Sequence, residues 1–211
     1  MVGMGKKFWV TLEYFLLLLV PTVIMQDVRI LAYRPLIMGM TLVYILLVAS
    51  REHYSLDALG LTFQGFRPAL RRIFPWSLLL VIGMTLVVYL LPRQVVLPLL
   101  GQDGLSFPLT VRLALYIFTS VPVQEVIYRS YLMLRLETLG FPAKVTNVLG
   151  VLAFTLGHVP FQSPLMLAVA ALLGILYVWS YRQNQNLLAL CISHAFVGAS
   201  LMVVRNSLIP F

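Results

Sequence analysis

Charge is what this sequence has least of. Lys, Arg, Asp and Glu make up 10% of its 211 residues, where soluble globular domains carry about 25%, and the mean hydropathy is +0.95. A soluble domain is excluded; this is the composition of an integral membrane protein. Cysteine is as scarce. Cys191 stands alone, so no disulfide can form within the chain. The formal charge of +8 does not signal nucleic acid, because the basic residues are scattered between apolar runs with no basic stripe. The lipid bilayer and membrane topology account for them better. No internal repeat, low-complexity tract or soluble domain interrupts the pattern, so residues 1–211 read as a single transmembrane domain. Nor does an A-x-A-like cleavage site follow the apolar run after Lys6 and Lys7; Pro21 to Met25 leads into Gln26 and Asp27. That run reads as a retained signal anchor.

What the sequence has is apolar runs. A membrane-crossing helix needs about 20 mostly apolar residues, and such runs lie near 8–25, 35–50, 74–92, 107–138, 143–159, 163–181 and 186–205. All must be helices, since an open strand leaves its backbone unsatisfied in lipid. The expected fold is an all-α polytopic bundle of about seven (7–8) transmembrane helices. The fourth run is too long for one perpendicular crossing; it is either one tilted helix or two helices meeting near Pro122. Between the second and third runs, Ser55 is placed to cap a short helix that Gly60 and Gly65 break, and Pro68 suits the first turn of the next. With Arg67, Arg71 and Arg72 beside it, this stretch reads as a cytoplasmic interfacial amphipathic segment.

Orientation follows the Lys/Arg bias. With the N-terminus in the cytoplasm, Lys6, Lys7, Arg51, Arg67, Arg71, Arg72, Arg135, Lys144 and Arg182 fall inside, and Arg29, Arg34, Arg93, Arg112 and Arg205 outside. Nine against five favours that orientation, in what reads as a bacterial cytoplasmic (inner) membrane.

Against this background a few polar residues stand out. An ionised group in a span costs roughly 2.5–3.5 kcal/mol on insertion scales, and Glu125 and Arg129 lie four apart in the long fourth run. On a helix they share a face and can pair; Gln124 and Tyr128 share the adjoining one. His158 follows Phe154 by one turn, and His194 lies in the last run. Counted from the cytoplasmic helix ends at 1.5 Å per residue, Glu125 comes roughly 20 Å deep, His158 roughly 21 Å and His194 roughly 12 Å, close enough to meet. One such residue alone is usually a packing or helix-linking group; Glu, Arg and two His on separate late spans point to a site. No His-Glu-x-x-His or other helical ligand pair is present, so a divalent metal such as zinc would need Glu125, His158 and His194 from three helices. No cofactor is required. Cys191 and His194 are three apart, a spacing that suits a thiol–base pair, but a small apolar Cys is the simpler reading. Glu13, near the start of its span, is expected to reach the interface.

The order Gln-Glu-x-x-x-Arg, Phe-x-x-x-His and a last-span His, over about residues 105–205, resembles the CPBP family. These are the CAAX-prenyl endopeptidase and bacteriocin-processing (Abi) intramembrane proteases. Ala58-Leu-Gly-Leu61 is similar to the segment that often precedes their core. The family pattern is Glu-Glu-x-x-x-Arg, Phe-x-x-x-His and His-x-x-x-Asn or Asp. Glu125, Arg129, Phe154, His158 and His194 match it; Gln124 and Gly198 depart from it. The resemblance implies that the residue at 124 and His158 activate a water, that His194 and the residue at 198 stabilise the oxyanion, and that Glu125 and Arg129 shape the site. Gln124 cannot accept a proton as a carboxylate does, so two arrangements stay open. Either Glu125 turns in as the base with Gln124 orienting the water, or His158 is the base with Gln124 as an amide donor.

The leading expectation is an intramembrane endopeptidase hydrolysing a peptide bond in a hydrophobic or lipid-anchored peptide. A catalytically degenerate relative acting in peptide binding, immunity or regulation is the alternative that Gln124 and Gly198 suggest. A proton-coupled transporter is a third class, but the chain shows no duplicated halves.

Overall fold

The computed structural model describes residues 4–23, 27–31, 33–101 and 107–208; residues 24–26, at the end of the expected signal anchor, lie outside them. The described residues are helical, with no strand among them. In order they are α1 (Met4–Val23), the short α2 (Val28–Leu31), α3 (Arg34–Arg51), α4 (Phe66–Leu90), α5 (Arg93–Leu100), α6 (residues 109–138), α7 (Ala143–Leu156), α8 (Pro164–Asn184) and α9 (Leu187–Leu208). Every expected span has a helix over it. Among the described residues, α3, α4, α8 and α9 are each long and apolar enough to cross a membrane unaided, and the protein is an integral membrane protein of all-α architecture.

Two elements differ from expectation. Helix α4 starts at Phe66 rather than near 74, because the Arg-rich stretch that interrupts the apolar pattern is still helical. Pro68 sits in its first turn, where its missing N–H costs no hydrogen bond. Helix α5 was not expected; its eight residues are too few for a span signal.

The long α6 does not break at Pro122. It is one helical run made of Leu109–Leu115, a π-helical turn Tyr116–Ser120, an α segment Val121–Glu125, a second π turn Val126–Tyr131 and Leu132–Thr138. A proline ring in an α-helix collides with the carbonyl four residues back; the wider turn before Pro122 relieves that collision. Single π turns inside α-helices occur frequently at functional sites, and here two of them bracket Glu125.

Helix ends are fixed by local chemistry. Ser163 caps α8, its Oγ accepting the Met166 N–H at 3.0 Å while its hydroxyl donates to the Leu99 carbonyl at 2.6 Å. Asn186 caps α9 by accepting the Ala189 N–H at 2.9 Å, and its amide donates to the Thr62 and Gln64 carbonyls. That side chain docks the 55–65 stretch onto the α8–α9 turn. Ser55 accepts the Ala58 N–H as a cap should, but only turns follow, ended by Gly60 at φ +71° against the Gln185 carbonyl. Leu59 is buried beneath while Leu56 and Phe63 stay exposed.

In the core α4 and α9 lie along each other, with Ser77 and Ser193 hydroxyls 2.5 Å apart and Phe74 and Phe196 rings at 5.2 Å. Glu13 does not reach an interface as expected. It is buried between α1, α3 and α6, where Tyr44 donates to it at 2.9 Å, Tyr131 donates to the same oxygen, and Arg135 donates from Nε and a terminal nitrogen at 3.1 and 3.0 Å. Arg135 also pairs with Glu52 at 3.4 Å.

Candidate active site

Helices α6, α7 and α9 bring the singled-out residues together, with His158 in the turn just past the end of α7, ahead of a 3₁₀ turn at Val159–Phe161. Glu125 and Arg129 are fully buried, and the expected pair is present but loose, with Arg129 Nε 3.7 Å from Glu125 Oε2. The closer partner of Glu125 is His194, whose Nδ1 lies 2.7 Å from Oε1. Arg129 instead stacks its guanidinium 4.1 Å over the Phe154 ring and 5.7 Å over Tyr177. Phe154 is thereby a hub, with rings of His158 and His194 at 4.7 and 5.3 Å. The two imidazole centroids are 6.4 Å apart.

The hydrogen bonds fix both tautomers. His158 Nδ1 is 2.7 Å from the Phe154 carbonyl; a carbonyl only accepts, so Nδ1 carries the hydrogen. A carboxylate likewise only accepts, so His194 Nδ1–H donates to Glu125. In each neutral ring Nε2 is left as the lone-pair nitrogen.

Both histidines line one cleft, together with Tyr116, Ser120, Gln124 and Gly198. The rest of its wall is mostly apolar, with Arg34 and Arg205 at the end where α3 begins and α9 finishes. Glu125 is not among the lining residues; it lies behind the wall and acts on the cleft through His194. Gln124 does line it, donating through Nε2 to Ser120 Oγ at 3.0 Å, which leaves a second amide N–H. A further, mostly apolar cleft that reaches Glu13 and Tyr44 shares Arg34, Gln124 and Phe161 with the first, so Gln124 stands where the two meet.

The metal set named from sequence does not assemble. Among the described residues no three His, Cys, Asp or Glu side chains converge to hold an ion; Glu125 and His194 spend their facing atoms on each other. Cys191 does not line the cleft.

Residues 106–200 match the Rce1-like family model, type II CAAX prenyl endopeptidase Rce1-like. The site lies in an Rce1-like segment. That segment spans α6, α7, α8 and most of α9, so it supplies Gln124, Glu125, Arg129, Phe154, His158 and His194, and the expected CPBP resemblance is found. No curated protein and no solved structure matches the chain.

Sequence reasoning missed Tyr116, Ser120, Arg34 and Arg205. Tyr116 and Ser120 precede Gln124 by eight and four residues, a helical spacing that places all three near one face. Arg34 and Arg205 were counted only as charges outside the membrane.

Proposed function

We propose that the chain is an intramembrane endopeptidase that hydrolyses a peptide bond in a hydrophobic or lipid-anchored peptide. One observation carries this: His158 and His194 both have Nδ1 pinned to an acceptor, and both rings line the same cleft beside the Gln124 amide. Of the two arrangements left open by the sequence, the geometry favours His158 as base, because the Glu125 carboxylate is taken up by His194 and lies behind the cleft wall.

In this reading His158 Nε2 takes a proton from water as its oxygen bonds to the substrate carbonyl carbon. The carbonyl π pair moves onto oxygen, facing the spare Gln124 N–H. When the tetrahedral species collapses, the C–N bond breaks and the proton on His158 passes to the leaving amine. Glu125 and Arg129 are positioning residues: one holds the His194 ring, the other stacks on Phe154 beneath both imidazoles. The two clefts meeting at Gln124 suit an extended apolar substrate. The same proposal puts the site in a bacterial cytoplasmic membrane with the N-terminus inside. Support for that orientation is the gathering of Arg51, Arg67, Arg71, Arg72 and Arg182 at the helix ends away from the Arg34 end of the cleft.

The test is cleavage of a quenched fluorogenic peptide bearing an S-farnesyl cysteine, and of one with an unmodified apolar segment, by purified protein in proteoliposomes. His158→Ala should lower turnover by about 10²–10⁴, the usual worth of a general base. If His158→Ala and Glu125→Gln both cleave like the parent chain, the assignment is wrong. One observation favours a second reading, a relative that binds peptide without cutting it: no carboxylate lines the cleft. Turnover that appears only in Gln124→Glu would establish that alternative.

A further inference from the structure

The departure at Gly198 is filled in space. Residue 198 follows His194 by one turn of α9, so a side chain there would stand on the same face as the imidazole. A Cβ built on Gly198 would lie 1.8 Å from the Tyr116 hydroxyl and 2.4 Å from the ring carbon that bears it. Glycine is what admits the tyrosine, and the hydroxyl occupies the volume that any longer residue at 198 would use.

The hydroxyl is a polar atom at the cleft. Tyr116 lines it with His158, His194 and Gln124, and its ring meets the His194 ring edge-on at 5.9 Å. The acceptor it has now is the His194 carbonyl, at a long 3.3 Å. In an α-helix that carbonyl already takes the N–H of residue 198, so the phenol contributes a second, weak bond there. A donor held so loosely can turn to a better acceptor at little cost. Its ring, wedged against His194 and Gly198, cannot move far. Tyr116 also opens the first π turn of α6.

We infer that Tyr116 is a catalytic residue, its hydroxyl donating a hydrogen bond to the substrate carbonyl oxygen as negative charge develops there. This rests on the endopeptidase reading. No covalent step is added: the phenolic hydrogen stays on its oxygen and is shared with the oxyanion until collapse restores the carbonyl.

The experiment compares the parent chain, His158→Ala, Tyr116→Phe, Tyr116→Ala and the double variant Tyr116→Ala/Gly198→Asn on the farnesylated fluorogenic peptide. Tyr116→Phe keeps the ring and its contact with His194, so it should fold as the parent chain does. Its kcat should fall by about 10²–10³, as for loss of one oxyanion donor, with KM within about twofold, since the bond forms only as charge develops. The double variant returns a donor to the same volume and should exceed Tyr116→Ala alone. Turnover in Tyr116→Phe within a few-fold of the parent overturns the inference and leaves the endopeptidase reading intact. The endopeptidase reading falls on its own test, His158→Ala and Glu125→Gln both cleaving like the parent chain, and the inference falls with it.

Discussion

Among the described residues two carboxylate–guanidinium pairs are buried, and they are built differently. Around Glu13 both carboxylate oxygens are used: Tyr44 and Tyr131 donate to one and Arg135 donates twice to the other, with only Arg135 Nη1 left without a hydrogen bond, 3.4 Å from Glu52. Around Glu125 the fit is poor. Oε2 and all three Arg129 nitrogens have no hydrogen-bond partner among the described residues, and the closest charged contact is 3.7 Å. A saturated network rigidifies, whereas a half-satisfied one is costly in a low-dielectric interior. The Glu13 network therefore reads as a brace between α1, α3 and α6. The Glu125 pair tolerates its shortfall to keep one carboxylate oxygen on His194. The difference teaches that burial of a charge pair does not itself mark a site; what sets the proposed site apart is the incomplete satisfaction of its pair.

Glu125→Gln gives the largest expected effect and attacks the comparison directly. The amide is the same shape and its oxygen still accepts from His194, but it carries no charge and can turn its NH₂ toward the imidazole. Turnover per folded molecule on the fluorogenic peptide should fall by up to about 10⁴, as when the carboxylate that holds a site imidazole becomes an amide, beyond whatever stability is lost when the buried Arg129 keeps no carboxylate beside it. Equal losses of turnover and stability would mean that Glu125 is only another brace.

Arg135→Ala is the mirror experiment. It strands the Glu13 carboxylate among apolar helices with two phenols as its remaining partners, and breaking a buried pair costs about 3–5 kcal/mol. Unfolding in detergent should move by that much, while activity per folded molecule stays that of the parent chain. A specific loss of activity at unchanged stability would reverse the assignment of the two pairs.

How far the sequence showed this difference depends on what each network needs. The Glu125 site was legible because its ingredients are local: Glu125 and Arg129 share a helix face, Phe154 and His158 share another, and His194 sits in its own apolar run. Counting residues from helix ends brought them to similar depth. The brace was not legible. Glu13, Tyr44 and Arg135 are unremarkable in their own spans, and only the packing of α1 and α3 on α6 joins them. Arg135 was read as a charge on the cytoplasmic side, and Glu13 as reaching the interface. Of the two forms left open for the fourth run, one continuous helix or two meeting near Pro122, the first is found, for a related reason. A proline announces a disturbed hydrogen-bond ladder, but whether the helix bends or widens into a π turn is set by its neighbours. Tyr116 was missed because a tyrosine in a span usually signals an interface or core contact, and its significance comes from the missing side chain at Gly198.

Gly198→Ala tests that match from the other side. The new methyl would stand 1.8 Å from the Tyr116 hydroxyl, so the ring must shift, at an overpacking cost of about 1–3 kcal/mol. Turnover should drop along with stability. In a Tyr116→Ala background the same substitution should cost almost nothing, which a double-mutant cycle of unfolding free energies will show as coupling.

The smallest effect belongs to the edge of the brace. Glu52 meets Arg135 at 3.4 Å, but its side chain is 27% exposed and Arg135 already has both oxygen-directed bonds to Glu13. Water and salt screen such a pair, and its typical worth is about 0–1 kcal/mol. Glu52→Ala should therefore shift unfolding by less than about 1 kcal/mol, shrink further in high salt, and leave turnover unchanged. A loss approaching that of Arg135→Ala would show that the brace depends on both carboxylates, and that its saturation at Glu13 is not what makes it stable.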